Sequence, residues 1–82
     1  MTDSAIAARI VNALEAAADR EAGARTALVS VTLDMLARAD AGSIETTAVR
    51  KTRTLVFMSA EFRTDAGERI VAASSVHKVL GA

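Results

Sequence analysis

The spacing of apolar residues changes once along this chain, at Gly23, and that change determines which class of fold it can adopt. Before it, Ile6, Ile10, Leu14 and Ala17 recur at the spacing of one helical face. After it, apolar and polar residues largely alternate, which is the period of a strand. The sequence therefore predicts one helix followed by β-structure.

The ends of the helix are indicated by two residues. Ser4 can accept a hydrogen bond at the helix start, so we expect it to be the N-cap. The helix should run to about Ala22, since alanine has a high helix propensity. Gly23 then supplies the left-handed conformation with which helices often end.

Four predicted strands follow, at 27–35, 44–49, 55–62 and 70–80. The third opens with a continuous apolar run, which is typical of an interior strand covered on both faces. Gly42 is expected at a positive φ angle, and residues 64–67 predict a tight hairpin. A helix followed by an antiparallel meander is an α+β fold, with the helix packed on one face of a four-stranded sheet.

The first strand has the clearest alternation. We expect five of its residues on one side, namely Ala27, Val29, Val31, Leu33 and Met35. A long apolar strand at the edge of a sheet invites pairing with another chain. The sheet face away from the helix carries Leu and Val as well as Ser and Thr, and is left for a partner.

Length and composition also favour association. A domain near 82 residues buries only about 60% of the surface of its unfolded chain. There is no cysteine for a disulfide, and only one histidine, so neither disulfides nor a metal site can reinforce so small a core. We therefore expect a homodimer, in which a second subunit stabilises the domain instead of a disulfide or a metal.

Charge and hydropathy exclude several classes of partner. Ten basic and ten acidic residues cancel, so the broad positive field needed for nucleic-acid binding is absent. The N-terminal segment is acidic, and Arg9, Asn12 and Glu15 interrupt the apolar stretch after it. We therefore expect no signal peptide and no membrane span, and place the chain in the cytoplasm.

Four segments, in order, resemble the hotdog-fold thioesterase superfamily. They are VSVTLDML at 29–36, RADAGSI at 38–44, VRKTRTLVFMSAEF at 49–62, and the turn DAG at 65–67 with the strand after it. The resemblance covers about two thirds of the chain. It is nearest to the branch that hydrolyses phenylacetyl-CoA and 4-hydroxybenzoyl-CoA-like thioesters, and it implies that the helix is the central helix of that fold.

The resemblance also shows what this chain does not contain. Members of the superfamily have a further strand before the helix, and a His-Gly-Gly loop that helps to bind the thioester carbonyl. Residues 1–82 are therefore expected to form a single hotdog-like domain without either feature. Whether Met1 is the natural start is left open.

The resemblance implies two sets of site residues. Glu15 matches the acidic residue that activates water or attacks the thioester, and the alternative is an ordinary solvated helix residue. Arg50, Lys51 and Arg53 lie at a hairpin that meets the phosphates of coenzyme A in relatives, and the alternative is a charged turn that keeps the sheet end soluble. His77 is interpreted as structural.

Two functions follow from this resemblance. The first is an acyl-CoA thioesterase-like homodimer, with coenzyme A as part of the substrate and no separate cofactor or metal. The second is a non-catalytic hotdog remnant that binds acyl groups or a protein partner. The sequence leaves open both catalytic activity and the acyl group.

Overall fold

A computed structural model describes residues 2–81, and it contains one helix and four strands. The elements are α1 (Asp3–Ala22), β1 (Thr26–Met35), β2 (Ser43–Lys51), β3 (Leu55–Arg63) and β4 (Arg69–Val79). The helix packs against a single antiparallel sheet, which confirms the predicted α+β fold class. Met1 and Ala82, the two ends of the predicted domain, lie outside the described residues.

The helix begins earlier than expected. Thr2 is the N-cap, and its Oγ1 accepts a hydrogen bond from the backbone N–H of Ala5 at 3.1 Å. The prediction of Ser4 as the cap was wrong, because Ser4 already lies within the first helical turn. The prediction for the other end is confirmed, since Gly23 has φ 64° and donates its N–H to the Arg20 carbonyl at 3.3 Å.

The order of strands in the sheet is β1-β4-β3-β2. The predicted meander therefore holds for β2, β3 and β4 only. The expectation that β1 would lie beside β2 was wrong, because the connection after β1 leads across the sheet to its opposite edge. Ala37 and Ala39 of that connection pack against the core and help to hold the connection in place. The two edges of the sheet are β1 and β2.

The core lies between α1 and the inner face of the sheet. The helix contributes Ile6, Ile10 and Leu14, all buried as the periodicity predicted. Burying each of these side chains contributes about 1.5–3 kcal/mol. The central strands β3 and β4 supply the other half of the core, with Phe62 and Val71 completely buried. The helix is therefore held on the sheet chiefly by this apolar layer.

The interior strand β3 is covered less completely than predicted. It lies between β4 and β2, as expected of an interior strand. Its inner residues Val56, Met58 and Phe62 are buried, but its outer residues, such as Phe57, are only half-buried. The expectation of cover on both faces was wrong because the single helix covers one face only.

A bulge at Val29 changes the faces of β1. Leu28 pairs with His77 and Ser30 with Val76, so Val29 has no direct partner. Residues directly opposite each other share a face. The expectation that Ala27 and Val29 lie on the same side as Val31 was wrong, because the extra residue reverses the alternation. Val29 is 60% exposed, whereas Val31 packs against the core.

Gly42 is required for space rather than for its backbone conformation. It does not have the predicted positive φ, which occurs at Gly23, Gly67 and Gly81. A Cβ at position 42 would collide with the backbone carbonyl oxygen of Arg63 and would lie 2.8 Å from a ring carbon of Phe62. Only glycine lets the incoming connection pass this closely to the end of β3.

Gly42→Ala should therefore destabilise the domain. We expect a loss of about 1–3 kcal/mol in the free energy of unfolding, because the Arg63 backbone must move to admit a methyl group. Urea denaturation followed by circular dichroism measures this loss. Ser43→Ala at the exposed next position is the control, and it should change the value by less than about 0.5 kcal/mol. Equal stability of the two variants would contradict the steric argument.

Candidate functional site

Glu15 lies on the flank of α1 that faces the β1 edge of the sheet. Its side chain is exposed. Asp19, one turn further along, accepts hydrogen bonds at Oδ1 from Thr26 of β1, at 2.8 Å from the backbone N–H and 2.6 Å from Oγ1. Residues four apart share a helical face, so Glu15 projects toward the same side. The predicted acid therefore lies beside β1, an edge strand of the sheet.

The bonds from Thr26 also hold the Asp19 carboxyl in its charged form. They lower the pKa of Asp19 below its ordinary value, with the side-chain bond the larger cause and Arg25 adding a smaller effect. Asp19 closes the short connection between helix and strand. It fixes the position of the helical face from which Glu15 projects.

Two polar residues meet inside the core beneath this face. Ser75 Oγ lies 2.7 Å from His77 Nε2, and both side chains point to the inner face of β4. Ser75 is 4% exposed and His77 is completely buried. The sequence interpretation missed this pair, although residues two apart in a strand share a face, and that spacing could have revealed it.

The arrangement of this pair is structural rather than catalytic. A serine and its base need access to a substrate and a third group that orients the base. Within residues 2–81, His77 Nδ1 has no hydrogen-bond partner, and α1 covers the pair. Burial lowers the pKa of His77, and the negative charges of Glu15 and Asp19 partly oppose this. His77 therefore lies in the core as a neutral imidazole.

The three predicted coenzyme A contacts point in different directions. Arg50 lies over the Phe57 ring on the outer face of the sheet, 6.0 Å from its centroid. Lys51 turns to the helix side and donates from Nζ to the Glu21 carbonyl at 3.0 Å. Arg53 is exposed in the β2–β3 connection. The structure brings the three onto one hairpin but not onto one face.

A row of hydroxyl side chains crosses the outer face of the sheet. Thr32, Ser74, Ser59 and Thr47 lie directly opposite one another on successive strands. Two open depressions border this row, one of about 260 Å³ and one of about 210 Å³. The centre of the outer face is therefore a shallow strip of small side chains, away from Glu15.

Charged residues surround the larger of the two depressions. Glu61 accepts hydrogen bonds from Arg63 at 2.9 Å and from Arg69 at 3.1 Å. These bonds lower the pKa of the Glu61 carboxyl, and the bond from Arg63 has the larger effect. Glu45 of β2 lies directly opposite Glu61, so the two arginines compensate a pair of like charges.

A third depression, of about 220 Å³, lies at the N-terminal end of α1. Met35 and Leu36, both exposed, line it with Asp3 and Arg38, which form an ion pair at 3.4 Å. The partial positive charge of a helix N-terminus acts within its first turn. Glu15 is twelve residues further along, roughly 18 Å at the rise of an α-helix. Within one chain the two features cannot act on the same carbonyl.

In residues 2–81, no three histidine or acidic side chains come together as metal ligands. In the same part of the chain, no helix is both long enough and apolar enough to cross a membrane.

The Asp19–Thr26 hydrogen bonds should make the free energy of unfolding depend on pH. A carboxyl with a lowered pKa stabilises the folded state above its unfolded pKa, near 3.9, and loses this effect as the pH falls through its folded value. Thr26→Val should be less stable than the wild type at pH 7 and approach it as the pH falls toward 2.

Urea denaturation between pH 2.5 and 7 tests this expectation. Thr32→Val, on the exposed outer face, is the matched control, and its difference from the wild type should not vary with pH. A constant difference for Thr26→Val across this range would show that the Asp19 bond does not stabilise the fold.

Comparison with known proteins relates this architecture to solved structures. The BH2602 protein from Bacillus halodurans, solved with CoA, is 13% identical and superposes with a TM-score of 0.88 over 100% of this chain. A mutant hypothetical thioesterase protein from Streptococcus pneumoniae is also 13% identical, with a TM-score of 0.89 over 99% of this chain. A third protein, from the thioesterase superfamily, is 12% identical with a TM-score of 0.82 over 96%.

These likenesses establish the fold. The chain spans 57%, 69% and 61% of the three solved chains, so each of them is longer. No family model matches the sequence, and no curated protein matches it. The predicted hotdog-like architecture is confirmed by these hotdog-fold thioesterase neighbours. The narrower likeness to the phenylacetyl-CoA and 4-hydroxybenzoyl-CoA branch stays a prediction.

Proposed function

We propose that the protein is a hotdog-type homodimer that binds an acyl- or aryl-CoA thioester and hydrolyses it, with Glu15 as the acid–base residue. The observation that carries this proposal is the position of Glu15 on the helix flank beside β1, the strand at one edge of the sheet. The fold match to a structure solved with CoA supports the class of ligand.

The β1 edge has the chemistry of a dimer interface. Six large apolar side chains are exposed in residues 2–81, and four of them lie in β1 or directly after it. They are Leu28, Val29, Met35 and Leu36. An edge strand ten residues long also presents unpaired backbone N–H and C=O groups. A second copy that pairs through β1 would satisfy these groups and cover the apolar side chains.

Such pairing would also complete the site. A twofold axis that joins two antiparallel β1 strands places both helices on the same side of a continuous sheet, running in opposite directions. The N-terminal half of one helix then faces the C-terminal half of the other. The depression at Asp3 and Leu36 of one chain would complement Glu15 of its partner, which a single chain does not achieve.

The proposed reaction is hydrolysis of a thioester. The Glu15 carboxylate takes a proton from water as the water oxygen bonds to the carbonyl carbon. The tetrahedral intermediate then breaks its carbon–sulfur bond, releases the coenzyme A thiolate and leaves a carboxylic acid. The proton held by Glu15 passes to the thiolate. The helix N-terminus of the partner would stabilise the oxyanion.

The basic hairpin is the proposed contact for the phosphates of coenzyme A. Lys51 bonds to the Glu21 carbonyl, which lies six residues beyond Glu15, or roughly 9 Å along the helix. Arg53 is exposed in the same connection, and Arg50 is occupied by its contact with Phe57. Guanidinium and ammonium groups bind phosphate through charge-assisted hydrogen bonds.

A non-catalytic acyl-binding or assembly module is the second candidate. It is favoured by the separation of Glu15 from the helix N-terminus of its own chain, roughly 18 Å along α1. Loss of one oxyanion donor typically removes about 2.7–4 kcal/mol of transition-state stabilisation. Thioester turnover by the purified chain well above the uncatalysed rate would decide against this candidate.

Replacement of Glu15 tests the catalytic proposal. We expect Glu15→Gln to lower kcat by about 10²–10⁴-fold on a panel of acyl- and aryl-CoA substrates, with little change in KM. The glutamine amide has nearly the same size as the carboxylate but cannot act as the base. Free thiol release measures the rate. Glu21→Gln, also exposed on α1, is the control and should retain activity. Equal rates for Glu15→Gln and the wild type would remove Glu15 from the mechanism.

The two bulge valines allow a matched test of the dimer. Val29 is 60% exposed in β1, and Val49 is 66% exposed at the corresponding irregularity of β2. We expect the wild type to sediment as a dimer, Val29→Lys as a monomer, and Val49→Lys as a dimer. Analytical ultracentrifugation distinguishes the three results.

Two results would contradict this assembly. A compact wild-type monomer at high concentration would exclude the dimer. If only Val49→Lys dissociated, the chains would pair through β2 and Glu15 would lie far from the interface.

A further inference from the structure

His77 occupies the layer between α1 and the sheet. It is completely buried, and its direct neighbours across the sheet are Leu28 of β1 and Val56 of β3. Within residues 2–81, the imidazole ring makes one hydrogen bond, between Nε2 and Ser75, and Nδ1 has no partner. A neutral imidazole accommodates this arrangement because it can leave one nitrogen unprotonated.

A protonated imidazole does not fit the same space. Both nitrogens then carry a proton and require acceptors, and Ser75 can serve only one of them. The second N–H would point into the apolar layer with no acceptor. A charged group with an unsatisfied donor is among the least favourable species that a core can contain.

The charges around His77 come from two elements. On α1, Glu15 and Asp19 both favour the protonated form, but burial has the larger effect. On β2, Lys51 lies opposite Val56 and directs its ammonium to the Glu21 carbonyl. The inner faces of β1 and β3 present Leu28 and Val56 here, and Lys78 belongs to the outer face.

We propose that His77 is an acid-sensitive latch that holds the C-terminal half of α1 on the sheet, and that protonation of its imidazole releases the helix. This inference does not depend on catalysis. It would nevertheless make the helix flank that carries Glu15 respond to pH, because release moves that flank away from β1.

The helix rather than the sheet should move. The strand β4 is central and pairs along its length with β1 and β3, so its backbone hydrogen bonds resist opening. The helix is held by apolar packing, by the Asp19 bonds to Thr26 and by the Lys51 bond to the Glu21 carbonyl. Water reaches His77 with the fewest broken hydrogen bonds when this half of α1 lifts.

The direction of the pH effect follows from proton linkage. The released state takes up a proton near the ordinary imidazole pKa of about 6.5, whereas the closed state takes it up only at lower pH. The closed state is fully favoured above this value. Between it and the folded pKa of His77, the equilibrium for release rises by up to about tenfold per pH unit.

Nuclear magnetic resonance of the wild-type protein tests the latch directly. We expect the His77 ring protons to titrate below pH 6.5. Hydrogen-exchange protection at residues 14–22, corrected for intrinsic exchange, should be constant from pH 7.5 to about 6.5 and then fall by up to about tenfold per pH unit down to pH 5.5. The amides of β3 and β4 should change less.

His77→Gln is the matched variant, because its amide can still bond to Ser75 but does not titrate. Its helix protection should not vary over the same pH range. Ring titration at or above pH 6.5, equal loss of protection in helix and sheet, or the same pH dependence in His77→Gln would each overturn the proposal. If the variant does not fold, the two wild-type measurements decide the question.

Discussion

One apolar layer, between the inner face of α1 and the two central strands, supports everything else in this structure. Ile10 and Leu14 from the helix meet Phe62 and Val71 from the sheet, and all four are completely buried. The chain has two aromatic residues and no cysteine, so it has few other means of joining helix to sheet. The positions of Glu15, of the buried imidazole and of the β1 edge all follow from how the helix lies on this layer.

Periodicity predicted the elements well because it reports local burial. The helical stripe and the glycine stop at Gly23 were confirmed, and four strands lie where alternation placed them. Features that depend on contacts distant in sequence were missed. Pairing of β1 with β4, and the passage of Gly42 beside Arg63, involve segments that local patterns do not relate.

The candidate site was predictable only in part. The helix period indicates that Glu15 projects away from the core, but not that its flank faces an unpaired edge, since that depends on sheet order. Bulges in the strands are likewise not indicated by local patterns, although they change which face a residue occupies. Arg50 and Lys51 are successive residues of β2 and therefore point to opposite faces, and the irregularity beside Val49 decides which of the two faces the helix. The Ser75–His77 pair was within reach of simple alternation.

The crossover that separates β1 from β2 also determines the order in which contacts can form. The hairpins β2–β3 and β3–β4 join neighbouring segments, whereas Thr26 pairs with Val79 across most of the chain. Closing so long a loop has a high entropic cost, so this pairing forms slowly. On a ribosome, β1 emerges well before its partner β4 and waits with its apolar side chains exposed. The newly made chain therefore passes through an interval in which the strand is most open to association with other molecules.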